Sequence, residues 1–383
     1  KNIADFINRS KRPILYLGQG CINSYLELRR FALKANIPVT STIHGCGIFD
    51  ENESLSLEWC GMHGSAAANY ALQKADCIIA LGSRFDDRTT GLIEEYAPIA
   101  RKNKGIIHVN IENTEINKVI ESNYNIVSDC YKFLNNIIPF TKFQERKEWI
   151  NTVNNLKDNN KFILKTSKKN DNFHMEEVID CLNTKTLDKD VLFTTGVGNH
   201  QMQTYQFIKC QYPKKILSSG SLGVMGAGLP YAIGAQIANK NKLVILIDGD
   251  SSFNMTMSDM KTIVEHKLPI KIAIMNNNSQ MMVTIWEKLF FNERYTATIN
   301  ERNPNYVYLA ESFGIKGMHC GKHDNLEEKI DEFINFNGPI LCEFDIKRDI
   351  CLPLVGPGKA LDDMILPENY TLKNKIMSGL VPS

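Results

Sequence analysis

Short apolar runs separated by helix-length segments recur along this chain and restrict it to a small group of folds. The clearest runs are residues 14–17, 77–81, 106–109, 242–247 and 271–275. Parallel strands need a crossover of about a dozen residues or more, usually helical, so this spacing predicts βαβ units. We therefore predict an α/β protein with doubly wound parallel sheets. Such sheets bind ligands at the carboxyl ends of their strands.

Length and local composition divide the chain. At roughly 100–200 residues per domain, 383 residues suggest two or three domains. Residues 139–172 are rich in Lys and Asn, and Trp149 indicates a short helix among them. We therefore predict a first α/β domain at 1–138, a linker at 139–172, a second α/β domain at 173–345 and an irregular tail at 346–383.

Composition excludes several classes of function. Hydrophobic residues make up 43% of the chain and charged residues 23%, which is typical of a globular protein with a sizeable core. Lys and Arg total 44 against 43 for Asp and Glu, so bulk charge favours neither nucleic acid nor an anionic membrane as a partner. No apolar run reaches the ~18 residues of a membrane span. The ten cysteines lack C-x-x-C spacing and predict unpaired thiols in a reducing compartment.

Two polar clusters follow neighbouring apolar runs and carry the chemistry. Gly249-Asp250-Ser251 ends one run, 24 residues (252–275) follow, and Asn276-Asn277 ends the next run. The carboxyl ends of neighbouring parallel strands meet at one edge, about 4.8 Å apart, so Asp250 and Asn277 are expected to converge there. A carboxylate, an amide oxygen and a backbone carbonyl form an incomplete Mg²⁺ site, which phosphate oxygens and water would fill.

Two glycine-bearing loops add candidate walls for a ligand. Residues 195–201 follow an apolar run and offer backbone N–H groups, with Asn199 and His200 beside them. Residues 218–230 are rich in glycine and lead towards a helix. Glycines let a backbone approach a phosphate or a ring closely. Within the second loop Met225 is a candidate apolar wedge beneath an aromatic ring.

These residues resemble one family, the acetohydroxyacid synthase (acetolactate synthase) catalytic subunits of the thiamine-diphosphate enzymes. Glycine-aspartate-serine followed by paired asparagines is similar to the thiamine-diphosphate signature, with Ser251 where Gly or Ala is common. The remaining matches run over essentially the whole chain. They are residues 38–40, 61–64, 82–91, 194–202, the glycine-rich loop at 218–230, and residues 253–256, 282–286, 303–304 and 352–355.

The resemblance implies a thiamine-diphosphate site in the second domain. Asp250, Asn277 and the Ser279 carbonyl would bind Mg²⁺. Met225 would force the V conformation of the cofactor, Met282 and Val283 would border the thiazolium ring, and Trp286 would contact the second oxoacid. The other implied cofactor contacts are Gly198, Asn199, His200, Gly223, Gly249, Ser251, Ser252 and Gln280.

The resemblance also implies FAD in the first domain, where it would serve structure rather than net redox chemistry. A lone G-x-G is weak support, but it gains weight from the flanking motifs. The implied contacts are Gly18, Gly20, Thr42, Ile43, Met62, His63, Gly64, Gly82, Ser83, Arg84, Asp86, Arg88, Ile111 and Asp129.

The chain departs from the family pattern at several positions. Asn110 stands where an acid is common, and Asn199 replaces the usual Gln. The glycine-rich loop differs at Ser221, Val224 and Ala227. Met281 replaces a Gly beside the thiazolium pocket, so we expect added bulk and the loss of any positive φ. We therefore hypothesise an altered cofactor fit.

The resemblance further implies substrates and partners. The family joins decarboxylated pyruvate to pyruvate or 2-oxobutyrate, giving 2-acetolactate or 2-aceto-2-hydroxybutyrate for valine, leucine and isoleucine. Active sites form between subunits of a homodimer or homotetramer, and a small regulatory subunit is common. The catalytic glutamate comes from a pyrimidine-binding domain that precedes the segment matched here. No Glu of this chain matches it, so we expect these 383 residues alone to have little carboligase activity.

Three alternatives stay open at this point. One is another thiamine-diphosphate decarboxylase or carboligase, such as glyoxylate carboligase, although the Met282 and Trp286 motif and His63 argue against it. A second is a catalytically silent homologue that binds FAD. A third, a flavin or nicotinamide oxidoreductase, rests only on the G-x-G. Bacterial members of the family are cytoplasmic, whereas eukaryotic ones work in plastids or mitochondria.

Overall fold

A computed structural model describes residues 1–368 of the chain. They form two compact units. The first comprises Lys1–Ile163, Cys210–Pro213 and the described residues from Leu352 onwards. The second comprises Leu164–Lys209 and Lys214–Cys351.

The first unit contains a six-stranded sheet in which every neighbouring pair is parallel. Its strand order is β3-β2-β1-β4-β5-β6, the order of a dinucleotide-binding doubly wound fold. The strands are β1 (Pro13–Leu17), β2 (Val39–Ser41), β3 (Ser56–Trp59), β4 (Cys77–Leu81), β5 (Ile106–Asn110) and β6 (Tyr124–Val127).

Burial on both faces explains why the central strands are apolar throughout. On β1, Leu15 and Leu17 pack into one core, whereas Ile14 and Tyr16 pack into the core on the opposite face. Side chains alternate across a strand, so a sheet covered on both faces needs apolar residues at successive positions. The prediction of a doubly wound parallel sheet is confirmed here.

Helices cover both faces of this sheet. They are α1 (Asn2–Arg9), α2 (Tyr25–Ala35), α3 (Ala66–Lys74), α4 (Asp87–Thr90), α5 (Pro98–Lys102), α6 (Cys130–Ile137) and α7 (Lys147–Asn159). Helix α7 lies inside the segment 139–172, for which the sequence predicts a linker. The structure places α7 in the first unit, where Trp149 is buried and its Nε1 donates to the Pro13 carbonyl at 2.9 Å.

The second unit repeats the same design. Its six-stranded parallel sheet has the order β11-β12-β10-β9-β7-β8. Strands β9 and β10 are adjacent, with Asp248 opposite Ile274 and Gly249 opposite Met275. The strands are β7 (Val191–Thr195), β8 (Ile216–Leu217), β9 (Leu243–Gly249), β10 (Lys271–Asn276), β11 (Lys316–Cys320) and β12 (Ile340–Asp345).

The helices of the second unit are α8 (Met175–Thr184), α9 (Asn199–Phe207), α10 (Gly228–Ala238), α11 (Asp250–Phe253), α12 (Met260–Glu265), α13 (Met281–Phe290), α14 (Tyr306–Phe313) and α15 (Leu326–Asn335). A 3₁₀ turn at Met257–Asp259 precedes α12, which ends at Glu265.

The segment after residue 345 is not wholly irregular. In the first unit β13 (Leu354–Val355) and β14 (Met364–Ile365) pair in antiparallel fashion. The rest of the predicted tail, from residue 369 on, lies outside the described residues. No disulfide joins the cysteines of residues 1–368, and Cys181 is the one among them that is not fully buried. None of the described helices has both the length and the hydropathy that a membrane crossing requires.

Candidate functional site

Four candidate cofactor segments lie at one edge of the second sheet. They follow β8, β7, β9 and β10, which are neighbours in that order. The segments contain Gly223 and Met225 after β8, Gly198–His200 after β7, Gly249–Ser252 after β9 and Asn277–Gln280 after β10. All four strands are parallel, so their carboxyl ends share one edge, where open α/β sheets bind ligands.

Asp250 is a buried carboxylate at the start of α11. Its Oδ2 accepts hydrogen bonds from Asn303 Nδ2 at 2.7 Å and from Asn300 Nδ2 at 2.9 Å. Burial raises the pKa of Asp250 above its ordinary value, and the two amide donors oppose that rise. A charged group in such a position is favourable when a cation binds beside it.

The loop after β10 is held in place from both sides. Asn277 Oδ1 accepts from the Ser279 backbone N–H at 3.1 Å, and Arg348 Nε donates to the Asn277 carbonyl at 2.9 Å. The Ser279 hydroxyl lies 2.8 Å from Thr284 Oγ1 and donates to the Thr298 carbonyl. The Asn277 side chain and the Ser279 backbone are thereby fixed at the end of the strand next to the one that leads into Asp250.

The glycine-rich loop is clamped at Gly226, whose φ is +80°. The Gly226 N–H donates to Ser252 Oγ at 3.0 Å, and Thr256 Oγ1 donates to the Gly226 carbonyl at 2.7 Å. This clamp fixes the backbone beside the half-buried Met225. Gly223, with φ +62°, is exposed at the tip of the same loop.

A buried His–Asp pair lies beneath these loops. His200 Nε2 lies 3.2 Å from Asp248 Oδ1, and both side chains are buried. A Cβ on Gly196 would lie 1.9 Å from Asp248 Oδ1, and a Cβ on Gly228 would lie 2.9 Å from Asp248 Oδ2. His200, predicted to line a diphosphate, therefore faces Asp248, which is not among the predicted site residues.

The candidate catalytic residues after β10 lie along α13. Met282 and Trp286 are half-buried, Val283 is 48% exposed, and the Trp286 ring packs 5.2 Å from the Phe290 ring. Met281 is buried as the first residue of α13 and does not have a positive φ. The expected backbone conflict at this position is thus absent, because residue 281 has helical geometry.

In the first unit, three candidate glycines pack backbone against backbone at the ends of β1 and β4. A Cβ on Gly18 would lie 2.1 Å from the Gly82 carbonyl oxygen, and one on Gly20 would lie 2.7 Å from Gly82 Cα. The Gly20 N–H donates to that same carbonyl at 3.1 Å. Strand order reverses between β1 and β4, which is where doubly wound sheets bind nucleotides.

Ser83 and two side chains of β5 form a buried polar group next to this point. The Ser83 carbonyl accepts from His108 Nε2 and from Asn110 Nδ2, both at 2.9 Å. Asn110 can donate where a carboxylate could not, which explains how the chain accommodates this departure from the family pattern. Within residues 1–368, Ser83 Oγ and His108 Nδ1 are buried without a hydrogen-bond partner. Burial lowers the pKa of His108 and so favours its neutral form.

The other flavin candidates follow neighbouring strands of the first sheet. Thr42 donates its N–H to the Leu17 carbonyl and precedes the 3₁₀ turn that starts at Ile43. Met62 and Arg88 are joined by an N–H to carbonyl bond of 2.8 Å. His63 and Gly64 are buried, and His63 Nδ1 lies 3.2 Å from the Pro353 carbonyl. Arg84 is exposed. Burial raises the pKa of Asp86 above its ordinary value.

The surroundings of two flavin candidates are explained without a ligand. Ile111 is 71% exposed immediately after β5. Asp129 is the N-cap of α6, where its Oδ1 accepts from the backbone N–H groups of Tyr131 and Lys132. An N-cap aspartate stabilises its helix without any ligand.

Comparison with known proteins identifies both units. A family model described as "Thiamine pyrophosphate enzyme, central domain" matches residues 1–137, and one described as "Thiamine pyrophosphate enzyme, C-terminal TPP binding domain" matches residues 196–344. The mitochondrial acetolactate synthase catalytic subunit of Saccharomyces cerevisiae is 40% identical over 94% of this chain. The chain belongs to this family of thiamine pyrophosphate enzymes.

Further relatives are also named acetolactate synthases. The mitochondrial acetolactate synthase of Schizosaccharomyces pombe is 40% identical over 96% of this chain, and the large subunit of Porphyra purpurea is 38% identical over 98%. The chain spans 54%, 57% and 65% of the length of the Saccharomyces, Schizosaccharomyces and Porphyra proteins. The resemblance to acetolactate synthase catalytic subunits inferred from the sequence is thus confirmed.

Three further residues of this family member contact the candidate site residues, although their sequence patterns alone do not indicate a role. Asp248 stands first in Asp-Gly-Asp, a pattern that reads equally well as a turn. Asn300 and Asn303 reach Asp250 from 50 and 53 residues away along the chain. The Asn303-Pro304 pair matches the family pattern and so indicates that Asn303 is important, but the pair does not show which group the Asn303 amide contacts.

Proposed function

We propose that the protein containing these residues is an acetolactate synthase. It would decarboxylate pyruvate and join the product to pyruvate or 2-oxobutyrate. The observation that supports this proposal is that four candidate cofactor segments, one of them containing the buried Asp250, lie at one sheet edge in a chain related to proteins of that name. The chain covers only part of those relatives, and the reaction is therefore a proposal for the whole protein.

The residues present fit thiamine diphosphate with Mg²⁺. Asp250, Asn277 Oδ1 and the Ser279 carbonyl form a hard oxygen donor set, and Asp250 has neutral amides as hydrogen-bond donors in a buried place. The N–H groups at the start of α9 support an anion beside Gly198. When bound, the cofactor supplies the carbanion chemistry that replaces the carboxylate of a 2-oxoacid.

The apolar side chains of this chain would shape the reaction space. Met225 is fixed by the Gly226 clamp, and Met282, Val283 and Trp286 project from one helix, α13. Together they would exclude water from the reacting carbon and orient the second oxoacid. Trp286 is the candidate for distinguishing the ethyl group of 2-oxobutyrate from the methyl group of pyruvate.

The first unit fits FAD as a structural cofactor. Three observations support a dinucleotide at the point where the strand order reverses. They are the strand order itself, the close packing of Gly18, Gly20 and Gly82, and two buried atoms without a hydrogen-bond partner among the described residues, Ser83 Oγ and His108 Nδ1. The role of Arg84, Asp86 and Arg88 in holding its phosphates or flavin ring stays a prediction. We further propose that subunits associate as a homodimer or homotetramer and that a regulatory subunit binds.

The test uses the protein expressed from its complete natural reading frame, with thiamine diphosphate, Mg²⁺ and FAD. We expect acetolactate from pyruvate, and at least about a hundredfold loss of rate in Asp250→Ala with binding of FAD retained. The matched control is Asp188→Ala, since Asp188 is exposed in the same unit. CO₂ release without acetolactate would favour a decarboxylase, and FAD binding without turnover would favour a silent homologue.

A second experiment addresses substrate choice. Trp286→Leu is expected to reduce the ratio of 2-aceto-2-hydroxybutyrate to 2-acetolactate when both oxoacids compete. One methylene in an apolar pocket accounts for about 10–200-fold in specificity, so a clear change in that ratio is expected. An unchanged ratio would remove Trp286 from the selection of the second substrate without affecting the proposed reaction.

A further inference from the structure

A second group of metal-binding side chains lies in the second unit among residues that the proposed reaction does not use. His174, Glu176 and Asp349 each offer one ligand atom, and these three atoms lie within 4.8 Å of one another. His174 directly precedes α8, Glu176 is in its first turn, and Asp349 follows β12. His174 Nδ1 contacts Asp349 Oδ2 directly.

A buried amide beside this group points to a missing cation. Gln203 on α9 is 4% exposed, and its Nε2 donates to Glu176 Oε2 at 3.1 Å. That bond places the Gln203 carboxamide beside Glu176, and Oε1 of the same carboxamide is buried with no hydrogen-bond partner in the described part of the chain. A buried acceptor left without a donor is unfavourable, so a cation at this oxygen would remove that cost.

The charges around this group have a net negative sum, which favours a divalent cation. Lys165 Nζ lies 3.5 Å from Glu176 Oε1, but its side chain is 39% exposed and can turn into solvent. Lys347 Nζ lies 3.0 Å from Asp171 and 3.5 Å from His174 Nε2. The carboxylates of Glu176, Asp349 and Asp171 therefore outnumber the two ammonium groups by one.

We propose that His174, Glu176, Asp349 and Gln203 bind one divalent transition-metal ion, with Zn²⁺ preferred. One imidazole nitrogen and three oxygens suit Zn²⁺, whose bonds to such ligands are about 2.0–2.2 Å long. Tetrahedral ligands at that length are roughly 3.4 Å apart. The ligand atoms of His174, Glu176 and Asp349, which lie within 4.8 Å of one another, therefore need only small movements to bind an ion, and Gln203 Oε1 would be the fourth ligand. The ligand set differs from the all-oxygen set proposed for Mg²⁺ at Asp250.

The ion would join three parts of the second unit that meet near the proposed diphosphate site. It would link the start of α8, the middle of α9 and the segment after β12. Asn199, the first residue of α9, donates from Nδ2 to the Asp349 carbonyl at 3.4 Å, and its own Oδ1 lacks a partner within residues 1–368. A bound ion would thus stabilise the N-terminal end of α9 without taking part in the reaction.

The test measures metal binding by the complete, chelator-stripped protein. Zn²⁺ is titrated in competition with a chromophoric chelator, and Co²⁺ is added separately so that its absorption band reports the coordination number. We expect one Zn²⁺ per chain, a four-coordinate Co²⁺ spectrum, and binding at least about tenfold weaker in Glu176→Gln and in His174→Gln.

Two controls separate this site from others. His319→Gln removes a histidine that lies 3.1 Å from Asp345 in the same unit and belongs to no group of three metal-binding side chains among the described residues. This variant is expected to bind Zn²⁺ as the natural protein does. Asp250→Asn is expected to retain Zn²⁺ as well, so failure of the proposed function does not affect the result. Absence of Zn²⁺ binding at 100-fold excess, or equal binding by Glu176→Gln and His319→Gln, would overturn the proposal.

Discussion

The carboxamide nitrogen of Asn303 lies 2.7 Å from Oδ2 of Asp250. The same nitrogen lies 3.0 Å from the side-chain oxygens of both Asn276 and Asn278, on either side of Asn277. One amide thereby connects the loop after β9 with the loop after β10. The two loops that would share a metal ion keep their spacing because Asn303 bonds to both.

Replacing Asn303 by Ala is therefore expected to weaken Mg²⁺ binding by about 10–100-fold, since groups that orient metal ligands have effects of this size. Titration of Mg²⁺ in the presence of thiamine diphosphate, followed by calorimetry, measures the change. Asn305→Ala is the matched control: Asn305 caps α14 two residues away, so its loss should lower stability but leave Mg²⁺ affinity unchanged. Equal Mg²⁺ affinity in the two variants would contradict the role given to Asn303.

Gly196→Ala is expected to destabilise the second unit by about 2 kcal/mol or more, because overpacking of a fitted interior has costs of this order. The added Cβ would lie 1.9 Å from Asp248 Oδ1. Gly234→Ala is the comparison: Gly234 is within α10 and a Cβ there meets nothing within 4 Å. That change should raise the free energy of unfolding by about 0.5–1 kcal/mol. Urea denaturation of both variants measures their free energies of unfolding. If Gly196→Ala lowered this free energy by less than 0.5 kcal/mol, the close packing around Asp248 would be refuted.

Lys271 predicts a pH dependence of stability. Burial lowers its pKa to about 8, whereas a lysine in an unfolded chain titrates near 10.4. Between these values the unfolded chain binds more protons than the folded one, so this residue makes the free energy of unfolding rise with pH. The neutral amine still has N–H groups for the carbonyls of Phe336 and Gly338.

The stability of the natural protein relative to Lys271→Met is accordingly expected to increase from pH 7.5 to pH 10. Denaturation midpoints at several pH values supply the measurement. Lys261→Met, at a lysine whose side chain is 73% exposed, should show no such trend relative to the natural protein. Parallel pH curves for Lys271→Met and the natural protein would be evidence against a buried, titrating Lys271.

Trp149→Ala is expected to lower the stability of the first unit by about 3–5 kcal/mol, the usual loss for a large buried aromatic side chain. Trp149 is 2% exposed and donates to the Pro13 carbonyl on the central strand β1. Circular dichroism during denaturation would detect the change. Loss of less than 1 kcal/mol would indicate that α7 is a peripheral part of the connection between the units, as its polar composition suggests.

The parallel sheets were predictable because their signal is local. The predicted run 77–81 coincides with β4, and the runs at 106–109 and 271–275 differ from β5 and β10 by one residue at the carboxyl end. Strands buried on both faces have nearly continuous apolar runs, and the polar residues that follow mark their ends. The same signal indicates that Asp250 and Asn277 lie at one sheet edge, whereas their role as metal ligands stays a prediction.

The contacts that complete the site could not be read in this way. Asn303 meets Asp250 across 53 residues, and His108 meets Ser83 across 25. Such pairs depend on how a loop returns over the sheet, and a single sequence does not record that path. Helix α7 is hard to predict for another reason: only Trp149 and Val153 are fully buried among its polar residues, with Ile150 and Leu156 partly buried beside them, so its apolar pattern is weak.

The orientation of β10 separates two kinds of mutation. Lys271 is at its amino end and Asn276 at its carboxyl end, which at about 3.3 Å per residue is a distance of roughly 17 Å. The candidate cofactor residues gather at the carboxyl end, whereas the lysine at the amino end donates to the carbonyls of Phe336 and Gly338. Sequence drift at the amino ends of the strands can therefore tune thermal tolerance while leaving cofactor affinity intact. Substitutions at these amino ends are therefore a route to variants with higher thermal stability and unchanged substrate selectivity.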